Sequence, residues 1–538
     1  MSALATRVGG QEQQVTMTAV EQRSPEGGRG VSDGRAVAII TLGCGRNEVD
    51  SQQLSGLFLR AGDRLVDDPE SADVVLVNTC TFIAPAKQES IDTVLAACQL
   101  KDDAQARAVL IVGCMAQRYP NELAEAIPEA DAVVGFEGYA DLPKIVGDVL
   151  AGRLGDRVVG VGAPHPGRTA GTVSHEAGGL LGRSLPVMVV DRPAEPSTTV
   201  VAEPQDDLDR IPASGPRFPI RVHDGGPWAY LKIASGCDRV CTFCAIPSFR
   251  GRFRSRPLDQ LVAEAEFLAH NGARELVLVS ENTTSWGKDL PGGRARQPAL
   301  LRALADIDGI ERLRLMYLQP AELTAELVEA IVAEPKVASY FDLSLQHVSG
   351  PVVERMARSG DHVRFGALID RIRALDADAV FRSNFILGFP GETDDDVARL
   401  EAFLETYALD WVGLFAYSAE DGTPAADFSD AVDPELALAR VRRVSNVQEH
   451  VADAAARRFI GRTLEVTVQQ TADGATLARS YREAPDTDGE ILLVSADDGT
   501  RRAVDVPVGR TVSARVIDTD GVDLIAHVDA ETAGAHGG

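Results

Sequence analysis

Several things are missing from this chain. No apolar run approaches the ~18 residues that a membrane span requires. Residues 1–34 are rich in Gly, Gln and Ser and lack the apolar centre of a secretory signal. They read as a disordered tail and residues 531–538 as a second tail, and the cytoplasm is the expected compartment, with no membrane partner. Positive charge is short: 53 Lys and Arg against 80 Asp and Glu leave a formal charge of −27. Such a surface repels nucleic-acid phosphates and attracts basic partners, which favours a basic protein substrate over naked RNA. The plainer alternative is a solvated acidic face. Cysteine is scarce and odd in number: Cys44, Cys80, Cys98, Cys114, Cys237, Cys241 and Cys244. An odd count in a reducing compartment speaks against a disulfide framework, so clustered cysteines point to metal ligation.

What remains is ordinary for a globular protein, with 45% hydrophobic and 25% charged residues over 538 positions. That length exceeds one core, so about three domains are expected. Residues 35–150 alternate apolar strands with helical patterns. AVAIITLGC, ADVVLVNTC and RAVLIVGC each run through Val, Ile and Leu into a cysteine. This is the pattern of an open parallel α/β sheet with strands buried on both faces. Residues 151–222, rich in Pro, Gly, Ser and Thr, read as a linker or insertion with little fixed structure. Residues 223–455 resume the alternation, with strands expected at 230–234, 275–280, 312–318, 340–346, 380–389 and 411–418. Six βα units make a partial (β/α)6 barrel, with reactive groups at the C-terminal strand ends. Residues 456–530 carry short strands separated by Asp/Gly turns, expected to form a small antiparallel, OB-like β-barrel.

SGCDRVCTFCAIPSFRG places Cys237, Cys241 and Cys244 in a C-x3-C-x2-C pattern directly after a strand. Three thiolates on one tight loop can hold three irons of a cubane and leave the fourth iron open to a small molecule. Tetrahedral zinc would want a fourth Cys or His nearby, and none follows at finger spacing. Cysteine thiolates are the usual cluster ligands.

With Phe243 as its aromatic, this motif resembles the signature of the radical S-adenosylmethionine superfamily. The resemblance implies a [4Fe-4S] cluster whose open iron chelates S-adenosylmethionine, and an electron that cleaves the cofactor to a 5′-deoxyadenosyl radical. It places Phe243 near the adenine, and Ser280 and Glu281 near the methionine amino group. Ser344, Gln346 and His347 stand at another strand end, and Arg382, Asn384 and Gly388 at a third; all but His347 are taken as candidate cofactor contacts. Gln346 and His347 also suit hydrogen bonds in a core, and Gly388, Pro390 and Gly391 an ordinary turn.

Cys44, Cys80 and Cys114 share no local motif, but each follows an apolar strand, where open parallel sheets bind ligands. The small neighbours Gly43, Gly45, Thr79 and Gly113 let the backbone approach a bulky group. Cys98 differs: it lies on a helical apolar stripe and reads as packing. TLGCGRNEVDS, NTCTFIAPAKQES and VGCMAQRYP resemble the N-terminal domain of methylthiotransferases. With the radical motif and a C-terminal TRAM-type barrel, the likeness covers residues 36–528. It implies a second [4Fe-4S] cluster on Cys44, Cys80 and Cys114 that supplies or carries sulfur. One S-adenosylmethionine methylates that sulfur, and a second generates the radical that takes hydrogen from the substrate carbon. An electron donor such as flavodoxin or ferredoxin and a sulfur source are implied partners, beside a substrate that is, in one branch of the family, ribosomal protein S twelve or the small ribosomal subunit that carries it.

Two branches of that family compete: one modifies adenosine in transfer RNA, the other the β-carbon of an aspartate in ribosomal protein S twelve. FCAIPSFRGRFRSRP, NTTSWGKDL, LQHVSGPVVERMARSG, FAYSAEDGTPAAD and RSYREAPDTDGEI resemble the ribosomal-protein branch. Residues 461–528 hold 7 Arg and no Lys against 12 acidic residues, and Tyr481 is their only aromatic. An RNA-gripping barrel should be basic and carry stacking aromatics. A local patch such as Arg501 and Arg502 is the competing reading, and a non-catalytic iron–sulfur sensor the competing class.

Overall fold

The computed structural model describes residues 34–161, 199–200, 220–472, 475–495 and 502–528. The terminal tails, most of the 151–222 segment, Arg501 and the Arg502 side chain lie outside the described residues. The chain divides into two units: one runs up to Val222 and includes Ser248–Gly251, the other comprises His223–Pro247 and the chain from Arg252 onward. Among the described residues, no helix is long and apolar enough to cross a membrane.

The first unit is built on a parallel sheet of β1 (Ala36–Thr41), β2 (Arg64–Leu65), β3 (Val74–Thr79), β4 (Ala108–Gly113), β5 (Ala132–Val134) and β6 (Val158–Val159), in the order β2-β1-β3-β4-β5-β6. β3 and β4 are central and buried at every position, which is why their sequences are continuous apolar runs. Helices α1 (Gly45–Arg60), α2 (Ala84–Asp103) and α3 (Cys114–Arg118) follow β1, β3 and β4. From β1 the chain turns outward to β2 and then back across β1 to β3, so the winding reverses between β1 and β3. That switch point is where open α/β sheets leave a crevice at their carboxyl ends. β6 lies inside the segment read as linker; two valines are too short a run to register as a strand by pattern. β7 (Thr199–Val200) pairs antiparallel with β8 (Ile220–Arg221).

In the second unit, β9 (Trp228–Lys232), β12 (Glu275–Val279) and β13 (Arg312–Leu315) form one parallel sheet in the order β13-β12-β9, and β14 (Tyr340–Gln346), β15 (Val380–Leu387) and β16 (Trp411–Ala416) another. Parallel bridges Leu313–Val337 and Leu318–Leu343 join the two, giving six strands in sequence. β10 (Ala234–Ser235) and β11 (Arg254–Ser255) form a small antiparallel pair. The first barrel strand therefore starts and ends two residues earlier than expected, because the chain leaves the sheet before the cysteine loop. The helix at Asp394–Tyr407 is fixed by a capping box between Thr393 and Asp396.

The C-terminal strands are β17 (Thr463–Ala472), β18 (Ala475–Arg479), β19 (Ile491–Ser495), β20 (Arg502–Ala503), β21 (Thr511–Asp520) and β22 (Asp523–His527). A β18–β19 pairing closes five of them into a barrel. The β19–β22 pair is parallel, a departure from the all-antiparallel barrel expected. The loop after β18 is tied to the six-stranded part by buried ions. Glu275 accepts from Arg314 Nε at 2.7 Å and from Arg479 Nη1 at 2.9 Å. Burial alone would raise its pKa, but Arg314, Arg479 and Arg312 together pull it down to about 2. Tyr340 donates to Asp488 at 2.6 Å, and Trp411 Nε1 to the Arg482 carbonyl at 2.9 Å.

Candidate metal centres

In the first unit the parallel register sets Thr79 beside Gly113 and Thr41 beside Asn78. The residues that follow therefore leave the sheet at one edge. Cys44 caps α1, its carbonyl accepting from Asn47 N at 2.8 Å. Cys80 is pinned by Ser90 of α2, whose hydroxyl accepts from Cys80 N at 2.9 Å and donates to its carbonyl at 3.0 Å. Cys114 opens α3. Gly43 and Gly113 hold φ of +101° and +93°. A Cβ on Gly43 would lie 2.9 Å from the Cys80 sulfur, and one on Gly113 would lie 2.5 Å from Asn78 Oδ1. Only glycine fits either place.

Two guanidiniums face these thiols. Arg46 Nε donates to Cys44 Sγ at 3.4 Å and Arg250 Nη2 to Cys114 Sγ at 3.0 Å. Burial would raise the Cys44 pKa, but Arg46 and Arg250 outweigh it and hold the thiol below its usual value. Burial dominates elsewhere: Cys80 is pushed up to about 12, with the neighbouring Cys114 and Cys44 adding to the rise, and Cys114 is raised although Arg250 opposes it. Burial thus holds two of the three as thiols, while Arg46 and Arg250 supply positive charge that would offset the thiolates once a metal displaced their protons. Among the described residues, no group of three His, Cys, Asp or Glu is placed to hold a single metal ion. A donor set of three cysteine thiols, each close enough to affect another's charge, fits a cubane held by three corners.

In the second unit, Cys237, Cys241 and Cys244 sit on the loop after β10. Arg239 N donates to Cys237 Sγ at 3.4 Å, and Cys244 N to the Cys241 carbonyl at 3.2 Å. Burial pushes Cys237 up to about 11. Phe243 packs against Val352, Met356, Phe389 and Ala425. All seven cysteines are free thiols. Cys98 lies in α2 within the apolar core, where burial raises it to about 11.

The other candidates are placed unevenly. Ser280 is buried and accepts from Asn282 N at 3.1 Å, and Glu281 follows it beyond β12. The Ser344 carbonyl accepts from Arg358. Gln346 ends β14 at a register shift with φ +69°, a strained backbone of the kind that gathers at sites. Asn384 stands beside Gly413 in the β15–β16 register. Arg382 is third in β15 and is committed to Asp342, at 3.1 Å, and to Asp488; it is grouped with barrel ions rather than with the cysteine loop. Gly388 N donates to Glu392 Oε1 at 2.9 Å, and a Cβ added there would clash with Ala437. His347 is fully buried; its Nδ1 accepts from Ser349 N at 3.0 Å, leaving the Nε2 proton toward Glu392 at 3.4 Å. That is a core histidine.

Several residues around the second loop carried no signal in the sequence. Arg358 Nη1 donates to Cys241 Sγ at 3.6 Å while Nη2 donates to Gln319 Oε1 at 2.7 Å. Glu322 accepts from Arg239, from Ser285 at 2.5 Å and from Asn282 at 3.2 Å. Tyr317, after β13, holds φ +60°. Only a spacing rule linking separate strand ends would have found them.

Comparison with known proteins agrees with this architecture. Residues 36–135 match a family described as Uncharacterized protein family UPF0004, 231–404 the Radical SAM superfamily and 460–528 the TRAM domain. The chain is 44% identical over 505 residues to the Ribosomal protein uS12 methylthiotransferase RimO of Streptomyces coelicolor, covering 92% of this chain and 97% of that one. It is 46% identical over 491 residues to the protein of that name from Saccharopolyspora erythraea, covering 91% and 94%. The chain belongs to the RimO family. RimO proteins are radical S-adenosylmethionine methylthiotransferases whose cofactors are two [4Fe-4S] clusters and S-adenosylmethionine. Among solved structures, the radical S-adenosylmethionine methyltransferase TsrM of Kitasatospora setae, with cobalamin and a [4Fe-4S] cluster bound, aligns over 82% of this chain and 77% of that one, at 17% identity and a TM-score of 0.47.

Proposed function

We propose that this enzyme methylthiolates the β-carbon of an aspartate in ribosomal protein uS12. When bound, the cofactors supply the sulfur and a radical able to break an unactivated C–H bond, which acid–base chemistry cannot do. Cys237, Cys241 and Cys244 hold the radical-generating cluster within a core domain over 223–455. Cys44, Cys80 and Cys114 hold the auxiliary cluster within a domain over 35–150. Arg358 and Arg250 orient the sulfurs they touch. Phe243, Ser280, Glu281, Ser344, Gln346, Arg382, Asn384 and Gly388 are the cofactor contacts at the strand ends; Arg382 is also paired with Asp342, and Gly388 N donates to Glu392. Reductant and sulfur come from separate partners in the cytoplasm, the former a flavodoxin or ferredoxin.

The observation that carries a protein substrate over RNA is the disposition of charge on the C-terminal barrel. Arg479 and Arg482 are buried at 4% and 0% exposure, against Glu275 and Glu483. Arg462 is paired with Asp378. Tyr481 packs on Phe459 and donates to the Asp378 carbonyl at 3.2 Å, so it is no stacking platform. Burial removes Glu483 and Asp488 along with these two arginines, so the barrel keeps the net acidity of its sequence, and an acidic face suits a cationic ribosomal protein. Mass spectrometry of uS12 and of transfer RNA from a deletion strain tests this. Loss of the methylthio group from uS12 is expected; loss from transfer RNA alone rejects it. Absence of 5′-deoxyadenosine on anaerobic incubation with dithionite and S-adenosylmethionine would favour the sensor.

A further inference from the structure

Arg250 sits in the first unit with 2% of its surface exposed. Burying a guanidinium is costly unless it is paired, and Asp50 Oδ2, 3.2 Å from Nη1 and itself buried, supplies the pair. The pair explains one arm of the fork. The other arm, Nη2, points at sulfur: it is 3.0 Å from Cys114 Sγ and 2.8 Å from Asn47 Oδ1. Asn47 cannot turn away, because its Nδ2 donates to the Leu42 carbonyl at 2.8 Å and the Thr79 carbonyl at 3.2 Å. The Phe136 ring lies 4.9 Å from the guanidinium carbon and covers one face of the plane. Three neighbours thus hold a permanent cation, with no rotamer freedom, in line with one thiol of the tripod. Arg46, which addresses Cys44 at 3.4 Å, is only half-buried, so solvent screens it more.

We propose that Arg250 is a positioning residue that sets the reduction potential of the cluster bound by Cys44, Cys80 and Cys114. This rests on the assignment of that cluster made above. A charged N–H donor on a ligand sulfur stabilises the state carrying more negative charge, so it raises the potential. Because Arg250 and the Asp50 and Asn47 that hold it are buried, the effect is larger than for the same charge at the surface.

The test uses the full chain with Cys237, Cys241 and Cys244 all replaced by alanine, so that one cluster remains, reconstituted anaerobically. Arg250→Gln, Arg250→Lys and Arg46→Gln are made in that background. Iron content and the midpoint from an electron-paramagnetic-resonance-monitored redox titration are read for each. Arg250→Gln is expected to keep its iron and shift the midpoint to more negative potential, with a changed signal shape. Arg250→Lys, which keeps the charge but loses the fork, should recover part of the shift, and Arg46→Gln should move it less. A midpoint in Arg250→Gln equal to that of the parent, at equal iron, overturns the proposal. If Arg250→Gln fails to bind iron, Arg250→Lys decides: an unchanged midpoint overturns the role, and a negative shift supports it. A parent protein that binds no iron overturns the cluster assignment instead, and is read before any Arg250 variant.

Discussion

Gly43 and Cys80 approach so closely that a methyl group on Gly43 would stand 2.9 Å from both the Cβ and the sulfur of Cys80. The backbone there has φ +101°, which also excludes other residues. Two demands converge on one position, and both serve the crevice beside Cys80.

Gly43→Ala should therefore displace the Cys80 thiol and remove about half of the bound iron, since one of two four-iron clusters is affected. Gly62 is the control. It has φ +87° but nothing within 4 Å of the place a methyl group would occupy, so Gly62→Ala meets only the backbone strain, about 1 kcal/mol, and keeps its iron. Iron and sulfide assays on both variants decide. Equal iron in the two would contradict the close-packed crevice.

The buried ion group around Glu275 predicts a pH dependence for the second unit. Its carboxyl falls from the usual 4.5 to about 2, so the folded state binds the proton more weakly than the unfolded one. The stabilisation is fully present above about pH 4.5 and drains away as pH falls toward 2. Glu275→Gln should cost on the order of 3 kcal/mol at neutral pH, because it leaves Arg314 and Arg479 without their counter-charge. It should also flatten the loss of stability between those two pH values. Denaturant unfolding of both proteins across that range measures it; parallel pH profiles would refute the depressed carboxyl.

Charge also sets how the substrate arrives. A chain with formal charge −27 should meet a cationic ribosomal protein faster at low ionic strength. Stopped-flow association with purified uS12 should slow steeply between low and physiological salt, while a transfer RNA of similar size shows no measurable binding. A salt-independent rate for uS12 would remove electrostatics from recognition.

The strand ends bearing Cys44, Cys80 and Cys114 were legible because each apolar run stops at a cysteine, and because β3 and β4 are buried on both faces. The C-x3-C-x2-C loop was legible for a different reason: its spacing is local. β6 was hidden by its length of two residues. The parallel β19–β22 pair was hidden because strand direction within a small barrel depends on closure, not on the residues of either strand. The partners of Arg382 were hidden: it lies early in β15, and Asp342 and Asp488, which pair with it, come from segments far along the chain. Arg250 and Arg358 left no trace in the sequence, since what marks them is a sulfur more than a hundred residues away along the chain.

The most direct measurement is iron and acid-labile sulfide per chain after anaerobic reconstitution of three proteins: the wild type, the Cys44/Cys80/Cys114→Ala variant and the Cys237/Cys241/Cys244→Ala variant. About eight irons in the first and about four in each of the others are expected from two independent cubanes. Zinc in place of iron, or about four irons in the wild type with no loss in one of the triple variants, would contradict the two-cluster assignment.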